Sequence, residues 1–165
     1  MDRDTAVHLV NIWHESGGQE LPFPAFDALR AVLMELVPEP EFSTAVKLRE
    51  EPTVLVVAGL RLYVATASAT VQGSDSSPIV SVRSEPLDPE RTTVAMTQDL
   101  RVSGPVADLV RRWDFVRDGA NFLTVELVHR KGAAFDSGRP DVDQFAKALA
   151  GKLGFDVPSD QGPAR

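Results

Sequence analysis

The chain contains no cysteine. That excludes disulfides, thiolate chemistry and Cys-ligated zinc or iron–sulfur centres. Histidine is scarce: His8, His14 and His129 are the only three. His8 and His14 are six apart, which on a helix puts them on nearly opposite faces. Two metal ligands sharing a helix face would stand at i and i+4. Lysine is confined to Lys47, Lys131, Lys147 and Lys152, so arginine carries most of the positive charge. With the Ala and Val richness, that skew fits a high-GC genome and carries no mechanism. Aromatic residues that could stack bases are few and fall mostly on apolar faces. No apolar run reaches the length of a membrane span. Met1-Asp2-Arg3-Asp4 is not a basic leader, so a cytoplasmic location is expected.

The sequence is equally bare of catalytic signatures. There is no Gly-x-Ser-x-Gly elbow, and Gly73-Ser74-Asp75-Ser76 reads as a flexible loop. A Ser-His-Asp triad assembled in space stays open on composition alone. No phosphate-binding Gly-x-x-x-x-Gly-Lys-Ser/Thr run occurs, and no Gly-x-Gly-x-x-Gly follows a strand. No catalytic residue, cofactor or metal is expected. Asp136, Asp141 and Asp143 crowd around Ser137-Gly138-Arg139-Pro140, and dense oxygen ligands can bind calcium. The spacing is not that of an EF-hand loop, and Asp141 has a capping role to fill. Arg111-Arg112 and His129-Arg130-Lys131 read as solvated charge at element ends. With a formal net charge of −7, the surface repels nucleic-acid phosphates and anionic lipid. Neither nucleic acid nor membrane is an expected partner.

What is present is an ordinary globular composition. Of the 165 residues 43% are hydrophobic and 25% charged, enough to bury a core without disulfides or metal. Residues 4–15 read as a helix capped by Asp4, with Ala6, Leu9, Val10 and Trp13 on one face. Val7 and Ile12 lie off that stripe. Pro24 suits the first turn of a second helix, whose Phe26, Leu29, Leu33, Leu36 and Val37 recur at helical spacing. Pro38-Glu39-Pro40-Glu41 makes a stiff connector.

From Ser43 the period becomes two. Thr44, Val46 and Leu48 alternate with Ala45, Lys47 and Arg49. Glu50-Glu51-Pro52 reads as a turn, Thr53 to Ala58 as a central strand, and Gly59 as a bend. Leu60, Leu62 and Val64 should share a face opposite Arg61 and Tyr63. A polar loop is expected over 72–78, a strand over 79–84 and a loop over 85–90. Thr92, Val94, Met96, Leu100 and Val102 continue the alternation, broken by Gln98. Val106, Leu109, Val110 and Trp113 stand at i, i+3, i+4 and i+7, with Ser103 to cap and Pro105 in the first turn. We favour a helix over 103–113. The rival reading puts Trp113 and Phe115 on one face of a strand starting at Arg111. Asn121 to His129 is a strand with Leu123, Val125 and Leu127 inward. A last helix opens on an Asp141/Gln144 capping box. It buries Val142, Phe145, Ala146, Leu149 and Leu153, and ends at Gly154 with Phe155 folding back.

The expected fold is α+β: an antiparallel sheet of about five to seven strands, a two-helix N-terminal segment, and a C-terminal helix packed on the sheet. We expect one domain over 1–155, with 1–42 helical and 43–155 sheet plus helix, followed by a flexible tail over 156–165. The order of elements resembles two families. Strands closed by a C-terminal helix resemble the pleckstrin-homology-like domain, which has seven strands and such a helix. Helices flanking strand hairpins resemble small acidic secretion chaperones. Both resemblances rest on element order and not on a motif. A lipid-binding pleckstrin-homology loop would be basic; here the first hairpin carries Arg49-Glu50-Glu51-Pro52, against phosphoinositide binding.

The functional expectation is a non-enzymatic protein-interaction module: an adaptor, a small chaperone or an assembly subunit. A protein partner or self-association would use apolar surface left over on the first two helices. Trp13 would be its anchor, with Val7, Ile12 and Phe23 beside it. The alternative for these helices is that they cover the open face of the sheet. The rival function is a small-molecule pocket or a cofactor-free enzyme with a helix on a curved sheet. Tyr63 and Gln98 are its candidate pocket residues.

Overall fold

The structure is a computed structural model that describes residues 1–16, 23–48, 51–72, 75–103, 106–131 and 139–156. It is α+β, with two N-terminal helices, seven antiparallel strands in sheets of four and three, and a C-terminal helix. The chain divides into two compact units, Met1–Leu87 and Asp88–Arg165.

The first unit opens with α1 (Arg3–Glu15) and α2 (Phe23–Leu36). Its sheet is a meander of β1 (Phe42–Leu48), β2 (Glu51–Ala58), β3 (Arg61–Gln72) and β4 (Asp75–Pro86) in that order. α1 starts two residues earlier than Asp4 would allow as a cap. Asp2 is the cap, its carboxylate accepting from the Thr5 N–H at 2.7 Å. Asp4 sits instead in the first turn, where the helix dipole favours a negative charge. The expected stripe of Ala6, Leu9, Val10 and Trp13 is buried. On α2, Leu29, Leu33 and the following Val37 are buried along with Ala25, while Phe26 is half-buried. Leu36 is exposed, because the helix ends there and Val37 takes the core position.

α1 packs on β1 and β2, and α2 on β3 and β4. Alternation sorts the sheet's residues to make this possible. Ala45, Val54, Ala65 and Val82 are register partners across all four strands and belong to the helix-facing core, with Val56, Ala67 and Tyr63. The alternate residues Thr44, Leu55, Val57, Leu62 and Val64 are buried on the opposite face. The half-buried β1 expected from alternation is therefore buried on both faces: Thr44, Ala45 and Val46 are all inside.

Three turn assignments change. Leu48 pairs with Glu51, so Glu51 and Pro52 belong to β2 and not to the expected turn; Arg49 and Glu50 lie outside the described residues. Ala58 pairs with Arg61, leaving the two-residue turn Gly59-Leu60. Gly59 takes φ 57° there, a conformation that suits glycine at the first position of a hairpin turn. Leu60 is exposed in that turn, off the face it was expected to share with Leu62 and Val64. The expected polar loop over 72–78 is mostly strand: Gln72 and Asp75 pair at the end of a long β3–β4 hairpin. Gly73 and Ser74 lie outside the described residues.

The second unit holds β5 (Thr92–Ser103), β6 (Val106–Arg117), β7 (Ala120–Lys131) and α3 (Pro140–Lys152), the strands again paired in sequence order. Residues 106–113 are strand, not the favoured helix. Trp113 and Phe115 share a buried face, as the rival reading required, but the strand starts at Val106. The β6–β7 turn is Asp118-Gly119, with φ 51° and 78°. Two positive values are the mark of a type I′ hairpin turn, which matches the twist of the strands it joins. Arg91 braces it: its side chain pairs with the Asp118 carboxylate, and its carbonyl accepts the Asp118 N–H.

The predicted face of α3 is buried, with Ala150 added. Its start differs from the expected capping box. Arg139 is the cap residue and makes no side-chain capping bond; Pro140 opens the helix. Asp141, displaced into the first turn, pairs with Arg139 at 2.8 Å. The C-terminus is a Schellman motif: Phe155 N–H donates to Ala150 O and Gly154 N–H to Gly151 O, with Gly154 at φ 82°. From β1 onward the described elements run as seven strands and then a helix.

Candidate interaction surface

Of the residues proposed from the sequence, Trp13, Ile12 and Tyr63 come together in the helix–sheet core of the first unit. Trp13 was expected to anchor an interface. It is fully buried in the helix–sheet core, its indole N–H donating to the Pro52 carbonyl at 2.9 Å. The physical reason is the alternative weighed for this segment: α1 and α2 cover a face of their own sheet. Ile12 is half-buried against the same core, and Val7 is half-buried on α1. Phe23 alone stands out, 83% exposed at the start of α2. Its ring lies 6.1 Å from Phe26, which in turn meets His14 edge-on at 6.0 Å. Tyr63 is half-buried against the helix-facing core in the first unit. Gln98 is exposed in the second, because β5 is an edge strand.

Among the described residues of these clusters, Arg111, Arg112, Asp141 and Asp143 are engaged in ion pairs. Arg111 on β6 reaches Asp143 on α3 at 2.9 Å, both side chains 13% exposed, and Lys147 joins the same carboxylate at 2.8 Å. Burial alone would raise the Asp143 pKa. Hydrogen bonds from Lys147 and Arg111, with their charges, outweigh it and hold the carboxyl below its ordinary value. Neighbouring Arg112 points to the other sheet face and pairs with Asp114, which also accepts from Asn121 and Thr124. Asp114 too is lowered: partial burial opposes ionisation, but the hydrogen bonds from Arg112, Thr124 and Asn121 prevail. Asp136 lies outside the described residues, as do the side chains of His129, Arg130 and Lys131. Among the described residues no group of three or more His, Asp or Glu is placed to hold a metal ion. No helix among them is long and apolar enough to cross a membrane.

The surface that remains is β5. Its sequence makes a strand because Thr, Val, Met and Leu alternate over twelve residues without a glycine or proline. It pairs with β6 on one side and has no strand neighbour on the other among the described residues. Val94, Met96, Gln98 and Leu100 stand opposite Phe115, Trp113, Arg111 and Leu109. They therefore lie on the sheet face where Arg111 meets α3. α3 packs against β7, so β5 is the edge of that face away from the helix. Met96 is 37% and Leu100 58% exposed.

Proteins usually blunt an open strand edge by shortness, proline, charge or a bulge. Two of the other edges show this: β1 has seven residues, and β4 contains Pro78 and Pro86. The register shift in this sheet falls between β6 and β7, leaving β5 regular. β5 has none of these devices except Asp99 and Arg101 near its end. Sequence reading missed it because the alternation of Val94, Met96 and Leu100 looks the same for an inward face and an open one.

Compared with family models, with curated proteins and with solved structures, the chain finds no match in any of the three.

Proposed function

We propose that this chain is a non-enzymatic, cytoplasmic protein-interaction module that engages its partner along the β5 edge. One observation carries the reading: a twelve-residue edge strand with exposed Met96 and Leu100 and little to block pairing. An extended segment can add to such an edge, its backbone completing the ladder and its side chains meeting every second residue of the host. The net charge of −7 favours protein over nucleic acid or anionic lipid as the partner class.

The test is affinity capture from the source organism's lysate with two baits. One is the native chain; the other carries Met96→Lys and Leu100→Lys. Both substitutions fall on exposed positions and should leave the circular dichroism spectrum unchanged. The reading expects at least one protein retained by the native chain and lost by the variant. Identical captures by both baits would remove β5 as the surface, and no capture by either would overturn the module reading.

A further inference from the structure

We infer that the β5 edge pairs with the β5 edge of a second copy of this chain, joining two three-stranded sheets into one of six. The inference rests on the functional reading above and names the partner. Two copies joined edge to edge in antiparallel fashion are related by a two-fold axis normal to the sheet. Such an axis keeps each sheet face continuous with the same face of the other copy. Residue i of one copy then opposes residue j of the other with i and j summing to a constant.

The exposed side chains select that constant. Only an axis through Gln98 sets Met96 opposite Leu100 of the second copy, twice. An axis through Leu100 pairs that residue with itself but carries Met96 past the strand's end. An axis through Met96 leaves Leu100 against Thr92, which is buried. Gln98 is also within one residue of the middle of Thr92–Ser103, so this register gives nearly the longest overlap the strand allows. The charges do not oppose it: Asp99 meets Thr97, and Arg101 meets Ala95. Chain pairing and apolar complementarity thus choose the same register. A single strand pair is a small interface, so the association should be weak and concentration-dependent.

The absence of cysteine makes the register directly readable. Gln98→Cys labelled with pyrene maleimide places the two labels opposite each other. Thr93→Cys places them ten residues apart along the paired strands, roughly 33 Å. Sedimentation equilibrium up to roughly 0.5 mM reads the association itself. The expected results are a monomer–dimer equilibrium, excimer emission from the Gln98→Cys label, and none from Thr93→Cys. Met96→Lys or Leu100→Glu should each weaken the dimer about tenfold, since each spoils two cross-strand pairs. The Met96→Lys/Leu100→Glu double variant should recover most of that loss, since opposite charges then face each other. A monomer at every concentration, a dimer indifferent to both single substitutions, or excimer from Thr93→Cys would each overturn the inference. If the chain is monomeric while lysate proteins still depend on β5, self-pairing falls and the module reading stands.

Discussion

The two tryptophans make a matched pair for testing the packing. Both are buried, one in each unit, but among the described residues only Trp13 has a partner for its indole N–H, the Pro52 carbonyl. The Trp113 indole nitrogen is buried with no hydrogen-bond partner among the described residues. Trp13→Phe and Trp113→Phe share the cost of the smaller ring, so their difference isolates the polar term. Trp13→Phe loses a hydrogen bond worth about 1 kcal/mol net. Trp113→Phe removes an unpaired buried donor, a group that costs about 1–3 kcal/mol to keep. Trp13→Phe should therefore be the more destabilising by about 2 kcal/mol or more. In urea that is a midpoint difference of about 1 M, for a slope of about 2 kcal/mol per molar. Each variant keeps one tryptophan, so its fluorescence follows one unit: Trp113 reports Asp88–Arg165 and Trp13 reports Met1–Leu87. Circular dichroism gives the total transition. Equal midpoints, or a larger loss in Trp113→Phe, would refute the reasoning.

Phe145→Ala and Leu149→Ala should each cost roughly 2–5 kcal/mol in denaturant titration, since both are buried on α3; a loss below about 0.5 kcal/mol, the surface range, would show that α3 does not dock through this face. Asp143→Asn leaves the Arg111 guanidinium partly buried without its carboxylate and should cost roughly 2–3 kcal/mol, while the Arg111→Met/Asp143→Leu pair should recover most of it. Asp114 and Asp143 have folded pKa values below the ordinary one. The stability they add is present above the unfolded carboxylate value of about 3.9 and is lost as pH falls through their lowered folded values. Melting temperature should therefore drop below about pH 4, and less steeply in Asp143→Asn. Gly119→Ala, forced to positive φ in the type I′ turn, should cost about 1 kcal/mol. EDTA should leave the melting temperature unchanged; a fall of several degrees would revive the Asp136–Asp143 cluster as a metal site.

Helical periodicity was legible wherever one face alone was buried. The stripe Ala6, Leu9, Val10, Trp13 and the face Val142, Phe145, Ala146, Leu149 were both readable from spacing, and both are inside. Spacing could not say what covers a face, and so Trp13 passed for surface. The segment 106–113 failed for a different reason. Val106, Leu109, Val110 and Trp113 fit a helix, but Arg111, Trp113 and Phe115 alternate equally well with Arg112 and Asp114. The deciding signal was five residues further on: Asp118-Gly119 between two alternating runs is a strong hairpin mark, and it makes 106–117 a strand. Cap positions erred by two residues at both Asp4 and Asp141 because several aspartates near each helix start satisfy the same pattern. The β5 edge was not legible at all. Whether an alternating strand is central or at an edge depends on pairing across the sheet, which no local pattern around Gln98 records.

The most direct measurement is amide hydrogen exchange along β5, followed by NMR as the protein is diluted and concentrated, and again with any protein captured on the native bait. The account predicts that alternate amides between Thr93 and Ser103 exchange fast in the dilute chain, having no ladder partner on the open side. It predicts that they slow on self-pairing or partner binding, while β6, already paired on both sides, is unaffected. Protection of every β5 amide at high dilution, or no gain in protection under either condition, would contradict an open edge as the binding surface.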